Sequence, residues 1–524
     1  MTPSSEWAVF AGFFLSLVHS AACRDSVQAG LRRAAVVHTA VFLVGAWLSL
    51  MLLAVAGSPW AAAVMGFSLI LIVRLLDAAK RKTLIEPVLA EDLWLVGQMM
   101  KFPGFYFPFL TAFQKASLAG GVLGVVLGVW LCAPLPGVRL VCLVALAFLT
   151  GGFVLSCRTN PGRRFWRRLF IDHPAGCDAN WDVAEYGLLG CGLLHVARLL
   201  VDREETTALL APERTGLSPL CVWRDRGELS PCVTSPHVVL VQAESYVNLR
   251  RLHAGVGSGW TRHFDRLAAE GRSGLLETGT FGAYTVRTEF SVLTGVNRSD
   301  LGVYGVNPYL LARKAPVGSL ARRFAAMGYF TVFMHPYSLR FFDRRRVMPQ
   351  LGFACLIGGE AFAGAERNGR YVSDRAVGAR IRDALAAADR PVFVFAVTLA
   401  AHGPWGLETA GAGMDSPEAS PLPEDVRNCA GFPEYARRLR DTDVFLGELA
   451  DAMDGLNRPS TLAFYGDHPG HLCTKISETA TATDYLIWNS KGRSVPTKSA
   501  SDSTVRPEHF GGMILENCLV DSME

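Results

Sequence analysis

Long apolar runs fill the chain up to about residue 157 and are replaced by a globular mixture after about residue 235. This change constrains the fold more than any other feature, because a stretch of ~20 apolar residues matches the hydrocarbon thickness of a bilayer. Five such segments can be drawn, roughly 7–23, 34–56, 60–73, 116–132 and 138–157. Several fall a little short of a full crossing. The first has no Lys or Arg ahead of it and further spans behind it, so it reads as an anchor rather than a cleaved signal. The expected organisation is a multi-span membrane domain of about five helices over 1–160, a linker over 161–234, and a soluble domain over 235–515.

Basic residues give a mixed account of topology. They cluster at Arg24, Arg32 and Arg33, at Arg74, Lys80, Arg81 and Lys82, and at Arg163, Arg164, Arg167 and Arg168. The positive-inside rule would place all three groups in the cytoplasm. The soluble half then lies outside only if 186–201 (YGLLGCGLLHVARLLV) crosses as a sixth span. The other reading keeps five spans with an inside N-terminus and makes 186–201 an interfacial helix. Both readings put the soluble domain outside the cytoplasm.

A net charge of +4 and the lack of a basic stripe with interleaved aromatics argue against nucleic acid as a partner. The 12 cysteines show no CxxC pair and no zinc-finger spacing. Cys23, Cys132, Cys142, Cys157 and Cys191 lie in or beside apolar runs and read as small buried residues. Cys221 with Cys232, or Cys429 with Cys473, are the candidate bridges if the domain faces an oxidising compartment.

After residue 235, short β-rich apolar runs alternate with helical periodicity, as in an α/β domain with a largely parallel sheet. Strands are expected at 237–242, 330–334, 392–399, 461–465 and 485–488, and helices at 320–327, 373–388 and 434–453. The last carries Leu439, Leu446, Leu449 and Met453 on one face and charge on the other, which suits a packing helix. The Gly-, Pro- and Ser-rich stretch 403–433 reads as a long surface loop.

Polar residues stand at the strand ends. HVVLVQA runs into Glu244, FTVFM into His335, VFVFAVTLAA into His402, and TLAFYG into Asp467 and His468. Ligands of open α/β sheets bind at the carboxyl ends of the strands, so one edge collects all five residues. Two carboxylates and an imidazole suit a borderline divalent cation such as Mn²⁺ or Zn²⁺. Arg344 follows His335 by nine residues and suits bidentate phosphate recognition, as do its neighbours Arg345 and Arg346. His471 is a further candidate ligand, set against the plainer reading of an exposed loop histidine.

The stretch 281–295, FGAYTVRTEFSVLTG, reads as a loop turning into a helix with Thr285 at its N-terminus. Free backbone N–H groups there favour an anion such as phosphate, although a threonine at this place also serves as an ordinary cap. With Thr285 as fourth ligand, a bound cation would lower the hydroxyl's pKa and make it a nucleophile. Thr288, Glu289 and Phe290 are expected to hold the helix in place, with Arg287 either contacting substrate or facing solvent.

The ordered set AES, GAYTVRTEFSVLTG, MHPYSLRFFDR, SDRAV, TLAAHGPW and FYGDHPG resembles the lipoteichoic acid synthase-like phosphoglycerol transferases. These are a membrane branch of the sulfatase/alkaline phosphatase superfamily. The resemblance covers about 235–515 and extends to the several spans and linker ahead of it. It implies an α-helical membrane domain plus an α/β sulfatase/alkaline-phosphatase-like domain with a largely parallel central sheet. It also implies that Glu244, Thr285, Asp467 and His468 hold one divalent ion, Mn²⁺ first and Zn²⁺ or Mg²⁺ as alternatives. Thr285 would be the nucleophile, and His335, Arg344 and His402 would bind the phosphoglycerol head group. Phe342 stands where the family usually has Trp, at the glycerol pocket.

The implied activity moves glycerol phosphate from phosphatidylglycerol, through a phospho-threonine intermediate, to a glycan or glycolipid hydroxyl, with His402 or His335 as proton shuttle. The implied location is a bacterial inner membrane, multi-pass, with the catalytic domain on the periplasmic or extracellular side. The alternatives are a phosphoethanolamine transferase, a sulfatase-like phosphodiesterase, and a non-enzymatic membrane sensor that retains the domain.

Overall fold

A computed structural model describes residues 3–21, 31–130, 136–169, 178–212, 235–279, 285–406, 421–476, 481–492 and 504–519. Cys23, Cys132, Cys221, Cys232, Arg24, the loop residues 281–284 and most of the loop before Leu422 lie outside this set. The chain forms two compact units, one of Met1–Thr206 with Gly302–Val306, the other of Thr207–Leu301 with Asn307–Glu524.

In the first unit, the five expected apolar segments are helices: Pro3–Ala21, Leu31–Ala56, Pro59–Leu84, Ala112–Trp130 and Pro136–Arg158. Only Gly57 and Ser58 separate the second helix from the third, so the two must run antiparallel. Gly57 makes the reversal at φ 68°, and Pro59 opens the next helix, where no N–H partner is needed. The third and fourth apolar helices approach along a seam of glycines. A Cβ on Gly124 would lie 2.2 Å from Ser68 Oγ, and one on Gly128 would lie 2.3 Å from Met65 Cγ. Small residues at such a crossing let backbones close in and gain dispersion contact, which replaces the missing hydrophobic drive between helices in lipid. Large apolar side chains such as Trp130 and Phe148, 86% and 83% exposed, cover the outside of these helices, an arrangement that suits hydrocarbon rather than water.

Among the described residues, four helices are long and apolar enough to cross a membrane by length and composition, within Pro59–Lys82, Ala112–Trp130, Gly137–Arg158 and Ala179–Val201. The last contains the stretch read above as a sixth span or an interfacial helix. It is broken at Gly187, which takes φ 65° and ψ 167°. In an unbroken helix Asp182 and His195 would stand about 20 Å apart along the axis; here Asp182 Oδ2 is 3.0 Å from His195 Nε2. The segment is thus two helical pieces bent back on each other, not a rod.

In the second unit the strands are β1 His237–Ala243, β2 Arg272–Leu276, β3 Phe330–Met334, β4 Cys355–Ile357, β5 Arg367–Asn368, β6 Tyr371–Val372, β7 Val392–Val397, β8 Ser460–Gly466, β9 Thr483–Asn489 and β10 Thr504–Val505. Eight of them form one sheet in the order β10-β2-β9-β8-β1-β7-β3-β4, while β5 and β6 make a separate ribbon. The run β8-β1-β7-β3-β4 is parallel throughout, and β9 is antiparallel to both neighbours. Strands β1, β7, β8 and β9 are buried along their whole length, because helices cover both faces.

One face carries Val239, Val241 and Phe464 against the helices Arg262–Glu270, Asp374–Ala386 and Phe432–Asp454. On the other, Phe324 stacks on Phe393 at 4.5 Å and Phe510 meets Tyr465 and Tyr485. The expected helix at 434–453 packs as read through Leu439, Leu446, Leu449 and Met453. The proposed Cys429–Cys473 bridge is not formed: both thiols are free, and Cys473 Sγ sits in the core 3.5 Å from the Tyr435 hydroxyl.

Candidate active site

The sheet brings the predicted residues to one edge. Parallel strands β8, β1, β7 and β3 end side by side, and each chain leaves its strand carrying a polar side chain. After β1 the chain turns at Ser245, whose φ of 52° lies in the left-handed region. This local strain is held by three bonds. Ser245 N–H donates to Asp467 Oδ1 at 2.8 Å, Ser245 Oγ donates to Glu244 Oε1 at 2.9 Å, and the Tyr435 hydroxyl donates to the Ser245 carbonyl. Gly466 closes β8 because no side chain fits: a Cβ there would lie 2.0 Å from the Tyr246 carbonyl oxygen.

Asp467 is fixed by one oxygen and leaves the other bare. Oδ1 accepts from the backbone of Ser245 and, at 2.9 Å, of His468. Oδ2 is buried with no hydrogen-bond partner of normal geometry among the described residues. His468 Nδ1 faces the Pro469 carbonyl at 3.3 Å, and since a carbonyl only accepts, Nδ1 carries the proton. Its Nε2 lone pair then points at the carboxylates, 3.4 Å from Asp467 Oδ2 and 3.6 Å from Glu244 Oε1.

One ligand atom from each of Glu244, Asp467 and His468 lies within 4.8 Å of the others, and all three residues are buried. Burial drives both carboxyls above their usual range, and the Asp467 charge pushes Glu244 further in that direction. Two crowded, desolvated carboxylates, an orphaned oxygen and a correctly tautomerised imidazole fit a divalent cation. His471 is not in this group; its ring rests on Trp405 at 5.1 Å.

Thr285 is the first residue of the helix Thr285–Thr294, as the sequence suggests. Its hydroxyl lies close enough to Glu244 and Asp467 to steady the charged form of each. Thr288 anchors the same helix by donating from Oγ1 to the Asp467 carbonyl at 2.8 Å. Arg287 is buried rather than solvated, at 4% exposure.

The structure singles out Arg344 from its neighbours. Arg345 and Arg346 are exposed, whereas Arg344 is buried against Glu289, with Nη2 2.8 Å from Oε2. Phe342 and Asp343 both take φ 55°, and this paired left-handed turn swings the following arginine inward. The Phe342 ring centroid lies 5.4 Å from the guanidinium carbon. Arg344 Nη1 is buried and has no partner among the described residues.

The two strand-end histidines are set in opposite states. His335 Nδ1 accepts the Tyr337 N–H at 3.2 Å, so its proton sits on Nε2; burial and then the Arg344 charge hold the ring neutral. His402 Nδ1 donates to the Gly403 carbonyl at 2.7 Å, which leaves Nε2 as an acceptor, and burial pushes its pKa down to about 4. Sequence reading missed the residues that support His402. The Tyr371 hydroxyl lies 3.2 Å from His402 Nδ1, and the buried Arg438 donates to the carbonyls of Ala400 and His402.

A family model described as Sulfatase matches residues 236–515, more than half the chain and all of the strands just described. The chain belongs to the sulfatase family. Among relatives, the sulfatase-family chain is 34% identical over 241 residues to the capsular polysaccharide biosynthesis protein RkpI of Rhizobium meliloti (strain 1021). That alignment takes in 45% of this chain and 41% of RkpI, so the chain spans less than half of the relative's length.

Among solved structures, the lipooligosaccharide phosphoethanolamine transferase A (EptA) of Neisseria meningitidis, an integral membrane protein, shares the fold. It covers 97% of this chain and 95% of its own at 13% identity, with a TM-score of 0.51. The Streptococcus pyogenes phosphoglycerol transferase GacH, solved with sn-glycerol-1-phosphate, is 21% identical over 60% of this chain and 82% of its own, with a TM-score of 0.46.

Proposed function

We propose that this sulfatase-family protein is a multi-pass membrane phosphotransferase. It moves glycerol phosphate from phosphatidylglycerol to a hydroxyl of a glycan or glycolipid. The observation that carries this reading is the position of Thr285, whose hydroxyl opens a helix and faces both Glu244 and Asp467. In support, the segments around these residues resemble the phosphoglycerol transferases, and RkpI is described as acting in capsular polysaccharide biosynthesis. Helices long and apolar enough to cross a bilayer support a donor that resides in the membrane. We further assign the membrane to the bacterial inner membrane, with the sulfatase-like domain over 235–515 on its periplasmic or extracellular side.

Glu244, Thr285, Asp467 and His468 would hold the divalent cation, with Mn²⁺ the first choice. When bound, it supplies Lewis-acid polarisation, which makes the threonine hydroxyl acidic and offsets phosphoryl charge.

The remaining chemistry belongs to the chain. Thr285 Oγ1 attacks phosphorus and its proton passes to one of the carboxylates it faces. The bond from phosphorus to the diacylglycerol oxygen breaks, and that oxygen leaves as the alcohol with the proton the carboxylate received, leaving phosphoglycerol on Thr285. Arg344 Nη1 and the N–H groups of the Thr285–Thr294 helix meet the oxygens on which charge builds. His335 offers Nε2–H as a donor to a phosphoryl or leaving-group oxygen. His402 offers a bare Nε2 to take the proton of the acceptor hydroxyl as it attacks phosphorus, and that proton returns to Thr285 Oγ1 as the bond from Oγ1 to phosphorus breaks. Phe342 flanks Arg344 and would wall the glycerol pocket.

Intact-protein mass spectrometry after incubation with Mn²⁺ and phosphatidylglycerol tests this reading. A phosphoglycerol adduct that maps to Thr285 and discharges onto an added glycan is the expected result. An adduct formed only from phosphatidylethanolamine would move the assignment to the phosphoethanolamine branch. Steady release of glycerol phosphate with no dependence on an acceptor would make the protein a hydrolase.

A further inference from the structure

The membrane unit contains a second group of metal-ligating side chains, unrelated to the sulfatase site. Asp182, Cys191 and His195 are fully buried, and one ligand atom from each lies within 4.8 Å of the others. Two structural causes bring them together. Cys191 and His195 are four residues apart on one helix face. The break at Gly187 then folds Asp182 back onto that face, so that its Oδ2 is 3.0 Å from His195 Nε2.

The other ring nitrogen shows the orientation expected of a ligand. His195 Nδ1 lies 2.9 Å from both oxygens of Glu91, which is itself buried and comes from the connection between the third and fourth apolar helices. A carboxylate beyond a histidine fixes the proton on the far nitrogen, turns the near one toward the cation, and raises its basicity. With Nδ1–H held by Glu91, the Nε2 lone pair faces Asp182 and Cys191. A thiolate, an imidazole and a carboxylate on one small centre form a zinc donor set. Tetrahedral Zn²⁺ separates neighbouring nitrogen and oxygen ligand atoms by roughly 3.3 Å, so Asp182 Oδ2 and His195 Nε2, 3.0 Å apart, would part by a few tenths of an ångström to admit it.

We propose that Asp182, Cys191 and His195 supply three ligands of a bound Zn²⁺, with Glu91 as the carboxylate behind His195 and one coordination position left to a further ligand. The ion would clamp the two halves of the bent helix to each other and, through Glu91, to the helix connection. Its position far along the chain from the Thr285 cluster makes it separable by mutation.

The test uses the full-length protein in detergent, purified with Zn²⁺ present. Metal analysis is expected to give about two zinc ions per chain in the wild type, and about one in either Cys191→Ser or Asp467→Asn. Exchange for Co²⁺ should produce thiolate-to-metal charge-transfer absorption that survives in Asp467→Asn and disappears in Cys191→Ser. The absorption experiment on the wild type and on Asp467→Asn needs no change at the proposed site, so misfolding of Cys191→Ser does not blunt it. About one metal per chain in the wild type with no thiolate absorption would overturn the proposal. His195 would then be an imidazolium bridging Glu91 and Asp182.

Discussion

Glu289 grips Arg344 from one side only, with Oε1 3.3 Å from Nε and Oε2 2.8 Å from Nη2, so that Nη1 is left facing away. The Tyr309 hydroxyl donates to the same Oε1, and neither member of the ion pair is more than 1% exposed. The pair spends one guanidinium edge on protein, and on the proposed function the other edge would serve a phosphoryl oxygen. Arg344→Lys removes the planar fork and leaves Glu289 poorly matched. We expect kcat/KM to fall by about 100-fold or more. Glu289→Gln keeps the shape and weakens the grip, so its loss should fall mainly on KM for the lipid donor. Donor titrations of the two variants against wild type check both.

Asp467→Asn should separate folding from cation binding. Asparagine Oδ1 can still accept from Ser245 and His468, so the strand-end turn survives. The bare Oδ2 becomes an NH₂ group that repels a cation. The expected result is a melting temperature close to that of the metal-free wild type, loss of the divalent ion from this site, and a fall in kcat of about 100- to 1,000-fold. Metal analysis with thermal unfolding decides it.

Arg438 is a positioning residue for the His402 loop. Its Nη1 donates to Ala400 O at 3.0 Å and to His402 O at 3.1 Å. Arg438→Met fills the space but abandons both carbonyls, at a cost of about 2–3 kcal/mol. Turnover should drop roughly tenfold, because His402 Nε2 is no longer held at the reacting oxygen. A merely structural role predicts lower stability with kcat unchanged; the expected loss of kcat in the protein that remains folded distinguishes the two.

His237, at the start of β1, makes stability depend on pH in a defined window. The Val392 N–H donates to its Nδ1 at 3.2 Å, and burial, followed by the Arg458 charge, lowers its pKa to about 4. The unfolded chain takes up a proton near 6.5 while the folded one resists until about 4. Stability from this residue is therefore complete above 6.5 and is lost as pH falls through the window, by about 3 kcal/mol. His237→Asn keeps an acceptor for Val392 and cannot titrate. The difference in melting temperature between variant and wild type should change between pH 6.5 and 4 and be flat above.

Phe342 tests head-group choice. Its ring lies beside the Arg344 guanidinium, at the place where the phosphoglycerol transferases usually carry Trp. Phe342→Trp should keep activity with phosphatidylglycerol within about threefold, and Phe342→Ala should raise KM by roughly tenfold or more through loss of the wall and the cation–π contact. Competition between phosphatidylglycerol and phosphatidylethanolamine reads out any change of preference.

Much of the site was legible because strand ends are conspicuous in sequence. An apolar β run that stops on Glu244, His335, His402 or Asp467 announces where the sheet edge will be, and the small residues before Thr285 announce the helix start. The five central strands were legible because full burial on both faces leaves unbroken apolar runs, and the helices Leu320–Ala326, Asp374–Ala386 and Phe432–Asp454 through their apolar period, whereas Pro507–Leu519 was missed. Strand β2 was missed because its residues are mostly half-buried, and β4 because three residues carry no period. Arg438 looked like one charge among many on a helix surface. Arg344 could not be told from Arg345 and Arg346 until the backbone turn at Phe342 and Asp343 was seen. Pairings such as His195 with Glu91, 104 residues apart, depend on a helix break that a single glycine in an apolar run does not advertise.

The position of β8 between β1 and β9 has a consequence for biogenesis. Ser245 and Asp467 are 222 residues apart, yet their bond shapes the candidate cation site, so that site stays incomplete until the 460s have been synthesised. Until β8 inserts, β1 presents an unpaired apolar edge, the kind of surface that recruits other chains. The late arrival of Asp467 and His468 delivers the missing sheet partner and the missing ligands in one event. From then on, a cation that binds only the finished domain adds RT ln(1 + [L]/Kd) to its stability. On the proposed function, a supply of divalent metal would then raise the share of chains that stay folded as well as support turnover.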